Sequence, residues 1–218
     1  VMAELVLKLG NDAFYEYMEA FGLREKTGID VPGEAIGIML SKERATVRDY
    51  GAMAIGQTNA FTPIQMVTAI SAVANGGYLM TPYVVDRITD QEGNVVEQKE
   101  PHVVRQVISE KTADLLCGFM ETVVIEGSGQ LALPQTGGAG GKTASAQTGI
   151  YDENEEEIVH AWFGGFYPAE DPQFAIVVFV ENGQSGNRVA APLFAQVADS
   201  LSGLELAQVE ENTTIMVE

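Results

Sequence analysis

The chain has 218 residues, 46% hydrophobic and 20% charged, which fits a globular protein of one large or two small domains with a core of its own. Its formal net charge of −19 repels phosphate backbones and argues against nucleic-acid binding. No apolar run reaches the ~18 residues that read as a membrane span, and no signal peptide is present.

The chain opens on "VMAELVLKLG" without an initiator methionine. This reads as the middle of a helix, so we expect a fragment or a processed chain, and the missing targeting signal says little about the compartment. Residues 1–9 and 12–21 read as two helices broken at Gly10-Asn11, and "FGLREKTGIDVPGEAIG" as an irregular connection rich in turn residues. "FTPIQMVTAISAVANGG" is a punctuated helix over 62–75. Thr62 is its N-cap, Pro63 takes the first helical position, Gln65 completes a capping box, and Gly76-Gly77 stop it. Apolar residues on more than one face predict that this helix is buried.

"YVVDRITDQEGNVVEQ" alternates and turns at Glu92-Gly93-Asn94, which predicts a hairpin. "SEKTADLLCGFMETVVIEG" predicts a helix over 109–125 with Ser109 as N-cap and Gly127 at its end. Three strands follow, over 140–148, 159–167 and 174–181. The third, "FAIVVFVE", is an almost unbroken apolar run typical of a central strand. The acidic run "DENEEE" (152–157) lacks EF-hand spacing and reads as a solvated hairpin loop. "APLFAQVADSL" predicts a last helix over 191–202, and an acidic, weakly patterned tail occupies 203–218. The patterns together predict an α/β fold of the α+β type, an antiparallel sheet covered by helices.

Cys117 sits among Leu116, Met120 and Val123 in a helical pattern and reads as a small packed residue, not a nucleophile. It has no partner for an internal disulfide, and no Cys/His spacing suits a metal. His102 and His160 are far apart without evident partners and read as structural or solvated.

The stretch "GGAGGKTASAQTG" (137–149) carries the chemistry. A phosphate loop requires a glycine five residues before Gly141, where Thr136 stands, and a helix after Lys142, where a strand is expected. As a strand, the segment puts Lys142 and Ala144 on one face and Thr143 and Ser145 on the other. A cation beside two hydroxyls suits a carboxylate-bearing substrate, and small residues leave the backbone open for an added peptide strand. An ordinary strand after a Gly-rich turn explains the same residues equally well.

Lys142-Thr143-Ala144 resembles the K-T-G box of penicillin-binding proteins and serine β-lactamases. "GQTNAFTPIQMVTAISAVANGG", "EGSGQLA", "GGKTASAQ", "HAWFGGFYPAEDP" and "AAPLF" occur in the order seen in class B penicillin-binding proteins. "TGIDVPGE" and "VRQVIS" are most similar to the sporulation (stage V sporulation protein D) and septal division branch. The resemblance covers residues 1–202. It implies the C-terminal portion of a D,D-transpeptidase of the β-lactamase-like fold, which cross-links peptidoglycan stem peptides and needs no metal or cofactor. It further implies that an S-x-x-K serine attacks a D-Ala-D-Ala bond and that a second peptide's amine resolves the acyl-enzyme. The strand carrying Lys142, Thr143, Ala144 and Ser145 would bind the terminal carboxylate, or that of a β-lactam, and supply one oxyanion-hole N–H. The parent would stand on the extracytoplasmic face, held by an N-terminal anchor.

Two features depart from the family. No serine in the chain has lysine three residues on, and the only S-x-N, Ser185-Gly186-Asn187, follows Lys142 where the family's precedes it and reads as a loop. The nucleophile box is thus absent, and the chain alone is expected to be inactive. Ala144 also replaces the usual glycine, and an added methyl in a tight site costs ~1–3 kcal/mol. A non-catalytic peptide-binding or structural relative is the competing reading. Loss of the nucleophile helix would also expose apolar surface, from which we expect self-association into a homo-oligomer.

Overall fold

The computed structural model describes residues 1–202. The acidic tail expected from residue 203 lies outside the described residues.

Helices α1 (Met2–Leu9) and α2 (Asn11–Ala20) are separated at Gly10, whose φ of 90° breaks the helical path. They meet α3 (Val47–Met53) in a small cluster of Val6, Tyr15, Tyr50 and Met53. The rings of Tyr15 and Tyr50 meet edge-on at 5.8 Å. The connection from Phe21 to Gly37 has no regular structure. Its carboxylates order it instead: Glu34 accepts from the Thr27 N–H and hydroxyl, and Asp30 accepts from the N–H groups of Val84 and Val85. Those bonds hold both carboxyls below their usual pKa.

Helix α4 (Pro63–Ala74) begins as its sequence demands. Thr62 Oγ1 accepts from the Gln65 N–H at 3.2 Å, and Gln65 Oε1 accepts from the Thr62 N–H at 3.1 Å. The expectation of a buried helix needs correction. Gln65, Thr68 and Ala72 are buried, but the other positions from Ile64 to Ala74 are only half-buried, because neighbours cover part of its circumference.

Strand β1 (Tyr78–Met80) pairs with β4 (Val103–Gln106), and β2 (Arg87–Thr89) with β3 (Val95–Gln98) in the expected hairpin. Arg105 on β4 donates to the Ala20 and Glu19 carbonyls, closing the C-terminus of α2. Helix α5 (Glu110–Ile125) starts at Ser109, whose hydroxyl accepts from the Thr112 N–H.

The main sheet is antiparallel, in the order β5 (Gly140–Tyr151), β6 (Glu157–Tyr167), β7 (Phe174–Val180). One face packs on α5 and on α6 (Ala191–Leu201) around Val124, Ala161, Phe163, Ala191 and Phe194. The other face receives α4, with Ile70 against Gly164. Among the described residues the apolar run 174–181 is therefore not a central strand. β6 is central, and β7 forms an edge among the described residues. Its apolar character reports two covered faces, α4 on one and α6 on the other, and not pairing on both edges.

Candidate functional site

Strand β5 pairs only with β6 among the described residues, so its outer edge is open. Two glycines lead into it for a packing reason. A Cβ on Gly140 would lie 2.2 Å from the Phe166 ring, and one on Gly141 would lie 2.4 Å from the Phe163 ring. The bare approach to Lys142 therefore makes room for two buried phenyl rings, one on each face of the sheet.

The register fixes the faces. Lys142 pairs with Gly164 and Ala144 with Trp162, while Thr143 pairs with Phe163 and Ser145 with Ala161. Directly paired residues share a face. Lys142 and Ala144 thus lie on the α4 face, Thr143 and Ser145 on the α5/α6 face, as alternation predicted. The Lys142 side chain then turns back on the strand. Its Nζ donates to the Thr143 carbonyl at 2.6 Å and comes within 3.4 Å of Thr143 Oγ1. Protein packed around the ammonium lowers its pKa by desolvation, although the residue as a whole is exposed.

Each hydroxyl meets a neighbouring segment. Thr143 Oγ1 stands 3.0 Å from Ser128 Oγ, just beyond α5. Ser145 Oγ accepts the backbone N–H of Gly186 at 3.0 Å. Gly186 opens a single turn of π-helix, Gly186–Ala190, whose preceding Ser185 hydroxyl accepts from the Arg188 N–H. The segment read as a plain loop is thus a helical turn seated on β5 and β6. The sequence showed Ser128 within "EGSGQLA" and Gly186 within Ser185-Gly186-Asn187 but gave neither a place at the site. The first is visible only as a hydroxyl in a Gly-Ser-Gly turn, and the second has no local signal.

The remaining candidates have structural duties. His160 Nδ1 accepts from the Asn182 N–H at 3.2 Å, and His102 Nδ1 lies 3.1 Å from Thr81 Oγ1. Cys117 is half-buried against the Val73 carbonyl, and burial raises its pKa, which disfavours the thiolate. Asp152 accepts from the N–H groups of Asn154 and Glu156, so the acidic run is a hydrogen-bonded turn between β5 and β6. Among the described residues, no group of three or more His, Cys, Asp or Glu could hold a metal ion, and no helix is long and apolar enough to cross a membrane. A cavity of about 150 Å³ lies between Phe21, Gln65, Thr68 and Leu79, but no residue of β5 lines it. Among the described residues the site is an exposed strand edge.

Residues 1–199 match the model of the penicillin-binding protein transpeptidase domain. Stage V sporulation protein D of Bacillus subtilis is 39% identical over 213 residues, which cover 92% of this chain and 32% of that protein. A putative peptidoglycan glycosyltransferase from Atopobium parvulum superposes with a TM-score of 0.78 at 34% identity, covering 94% of this chain and 48% of that one. Penicillin-binding protein 3 of Mycobacterium tuberculosis, in complex with aztreonam, superposes with a TM-score of 0.80 at 26% identity, covering 92% and 48%. The chain spans about a third of the length of stage V sporulation protein D. With its antiparallel sheet, its helices on both faces and a domain match running almost from end to end, the chain belongs to the penicillin-binding protein transpeptidase family.

Proposed function

We propose that this chain is the C-terminal portion of a serine-type D,D-transpeptidase of the class B penicillin-binding proteins, serving peptidoglycan cross-linking in sporulation or division. Residues 1–202 form the domain portion, and 203–218 are an acidic tail. Lys142, Thr143, Ala144 and Ser145 form the edge that receives the terminal carboxylate of a D-Ala-D-Ala stem peptide, or that of a β-lactam. The complete enzyme stands on the extracytoplasmic face of the membrane, held by an N-terminal anchor.

One observation carries the reading: an open strand edge bears a cation and two hydroxyls, and each hydroxyl oxygen is already met by a neighbouring group. An extended peptide can pair with such an edge, and an N–H along it can face a developing oxyanion. In the reaction the serine oxygen attacks the carbonyl carbon and the C–N bond breaks. The terminal D-alanine leaves as the amine, and the amine of a second stem peptide then takes the acyl group and frees the serine. That serine belongs to an S-x-x-K box absent from these 218 residues, so the proposal places it in a preceding segment together with the S-x-N box.

Labelling with a fluorescent penicillin tests this directly. The full-length protein gives a heat-stable band, and the 218-residue chain alone gives none. A covalent band on the chain alone, or none on the full-length protein, overturns the proposal.

A further inference from the structure

Ser128 sits in the turn Gly127-Ser128-Gly129 that follows α5. The turn is fastened to the helix end: Gly127 N–H donates to the Thr122 carbonyl at 3.0 Å, and Gly129 N–H to the Val123 carbonyl at 2.9 Å. A Cβ on Gly127 would lie 2.7 Å from Val123 Cα, and one on Gly129 would lie 3.1 Å from Val123 Cγ1 and 3.2 Å from the Phe163 ring. The turn is therefore pressed against the core, and the Ser128 hydroxyl is carried on a fixed backbone to a point 3.0 Å from Thr143 Oγ1.

The protons at this point can be assigned by elimination. Thr143 Oγ1 has one proton to donate and two lone pairs to accept with. Lys142 Nζ, 3.4 Å away, is an ammonium and can only donate. A ligand carboxylate can only accept. Once Thr143 gives its one proton to that carboxylate, the Ser128–Thr143 bond survives only with Ser128 as donor. Ser128 then occupies a lone pair of Thr143 and turns the Thr143 proton outward, toward the open edge.

We infer that Ser128 is a positioning residue for carboxylate recognition, acting through the Thr143 hydroxyl. This rests on the transpeptidase reading of the β5 edge. Ser128 itself does not touch the reacting atoms. The role is strongest for ligands that carry the anion, because a carboxylate accepts the Thr143 proton far more strongly than a neutral ester carbonyl does and so fixes the direction of the Ser128–Thr143 bond.

The test uses the full-length protein and two probes, benzylpenicillin and its methyl ester, with the second-order acylation rate as readout. Ser128→Ala lowers the rate with benzylpenicillin by about five- to tenfold, the size expected for one oriented hydrogen bond. It leaves the methyl ester rate within about twofold, and Ser128→Thr, which keeps the hydroxyl, restores the benzylpenicillin rate. Equal losses with both probes, or no loss with either, overturn the inference while leaving the transpeptidase reading intact. Failure of the unsubstituted protein to be acylated overturns both.

Discussion

The backbone N–H of Gly186 donates to the hydroxyl of Ser145 at 3.0 Å, across 41 residues of sequence. This bond seats the turn after β7 on strand β5, two residues beyond Thr143. It also explains why residue 186 has no side chain. A Cβ there would lie 2.2 Å from the Ala144 carbonyl oxygen and 2.6 Å from that of Trp162, both backbone atoms that cannot swing aside. The turn can press against β5 and β6 only as glycine.

Gly186→Ala is accordingly destabilising. Separating the turn from the strand loses the Ser145 bond and loosens close packing, at a combined cost of about 2–4 kcal/mol. The midpoint of urea unfolding falls while its slope is unchanged. An unchanged midpoint shows that the turn yields freely.

Thr58 offers a contrast, since its φ of 62° places a β-branched residue in the left-handed region. Thr58→Gly relieves about 1–2 kcal/mol of strain and costs about 0.4–1 kcal/mol in unfolded-chain entropy, leaving a gain of up to about 1.6 kcal/mol. Urea titration of the two proteins side by side reads the sign. A loss of stability means that the Thr58 side chain contributes more than its backbone strain costs.

Lys142 couples the edge to pH. Burial lowers its folded pKa from the ordinary 10.5, so between the two values the unfolded chain holds more protons than the folded one. Stability from this group therefore rises as pH climbs through the folded value, and levels off above the unfolded one. Below that window the buried charge is a penalty. Lys142→Met removes the titration, so the stability advantage of the variant shrinks as pH rises from 7 toward 10.5. A difference between the two proteins that is constant over that range contradicts a desolvated ammonium.

Apolar surface remains open on the isolated chain. Leu5, Leu7 and Leu9 of α1 are about half exposed, Ile55 beyond α3 is 64% exposed, and Phe179 is 40% exposed on the α4 face of the sheet beside Trp162. At about 25 cal/mol per Å², covering several hundred Å² of such surface yields on the order of 10 kcal/mol, enough to drive pairing. The 218-residue chain is expected to self-associate at micromolar concentration in sedimentation velocity. A strictly monomeric, folded chain rules this out.

Much of this molecule is written locally. Thr62, Pro63 and Gln65 set the start of α4, Ser109 that of α5, and the Glu92-Gly93-Asn94 turn the β2–β3 hairpin. Each depends on bonds within a few residues of chain. The alternation of Lys142, Thr143, Ala144 and Ser145 was legible for the same reason, because a strand's period is fixed by the backbone. Helix α3 left a local mark that went unread, the Thr46–Asp49 capping box, and at seven residues it was too short for its periodicity to show.

Tertiary structure decided the rest. The β1–β4 pairing joins short strands more than twenty residues apart, and neither carries enough pattern to name its partner. The apolar run of β7 could not distinguish covered faces from paired edges, because both remove water from the same side chains. The glycines before Lys142 gave no sign that the Phe163 and Phe166 rings pack against them from opposite faces of the sheet. Above all, the setting of the two hydroxyls is nonlocal. Ser128 reaches Thr143 from the end of a helix, and Gly186 reaches Ser145 from beyond the sheet. A hydrogen bond depends on distance and angle in space, and only the folded chain brings these atoms within 3.0 Å.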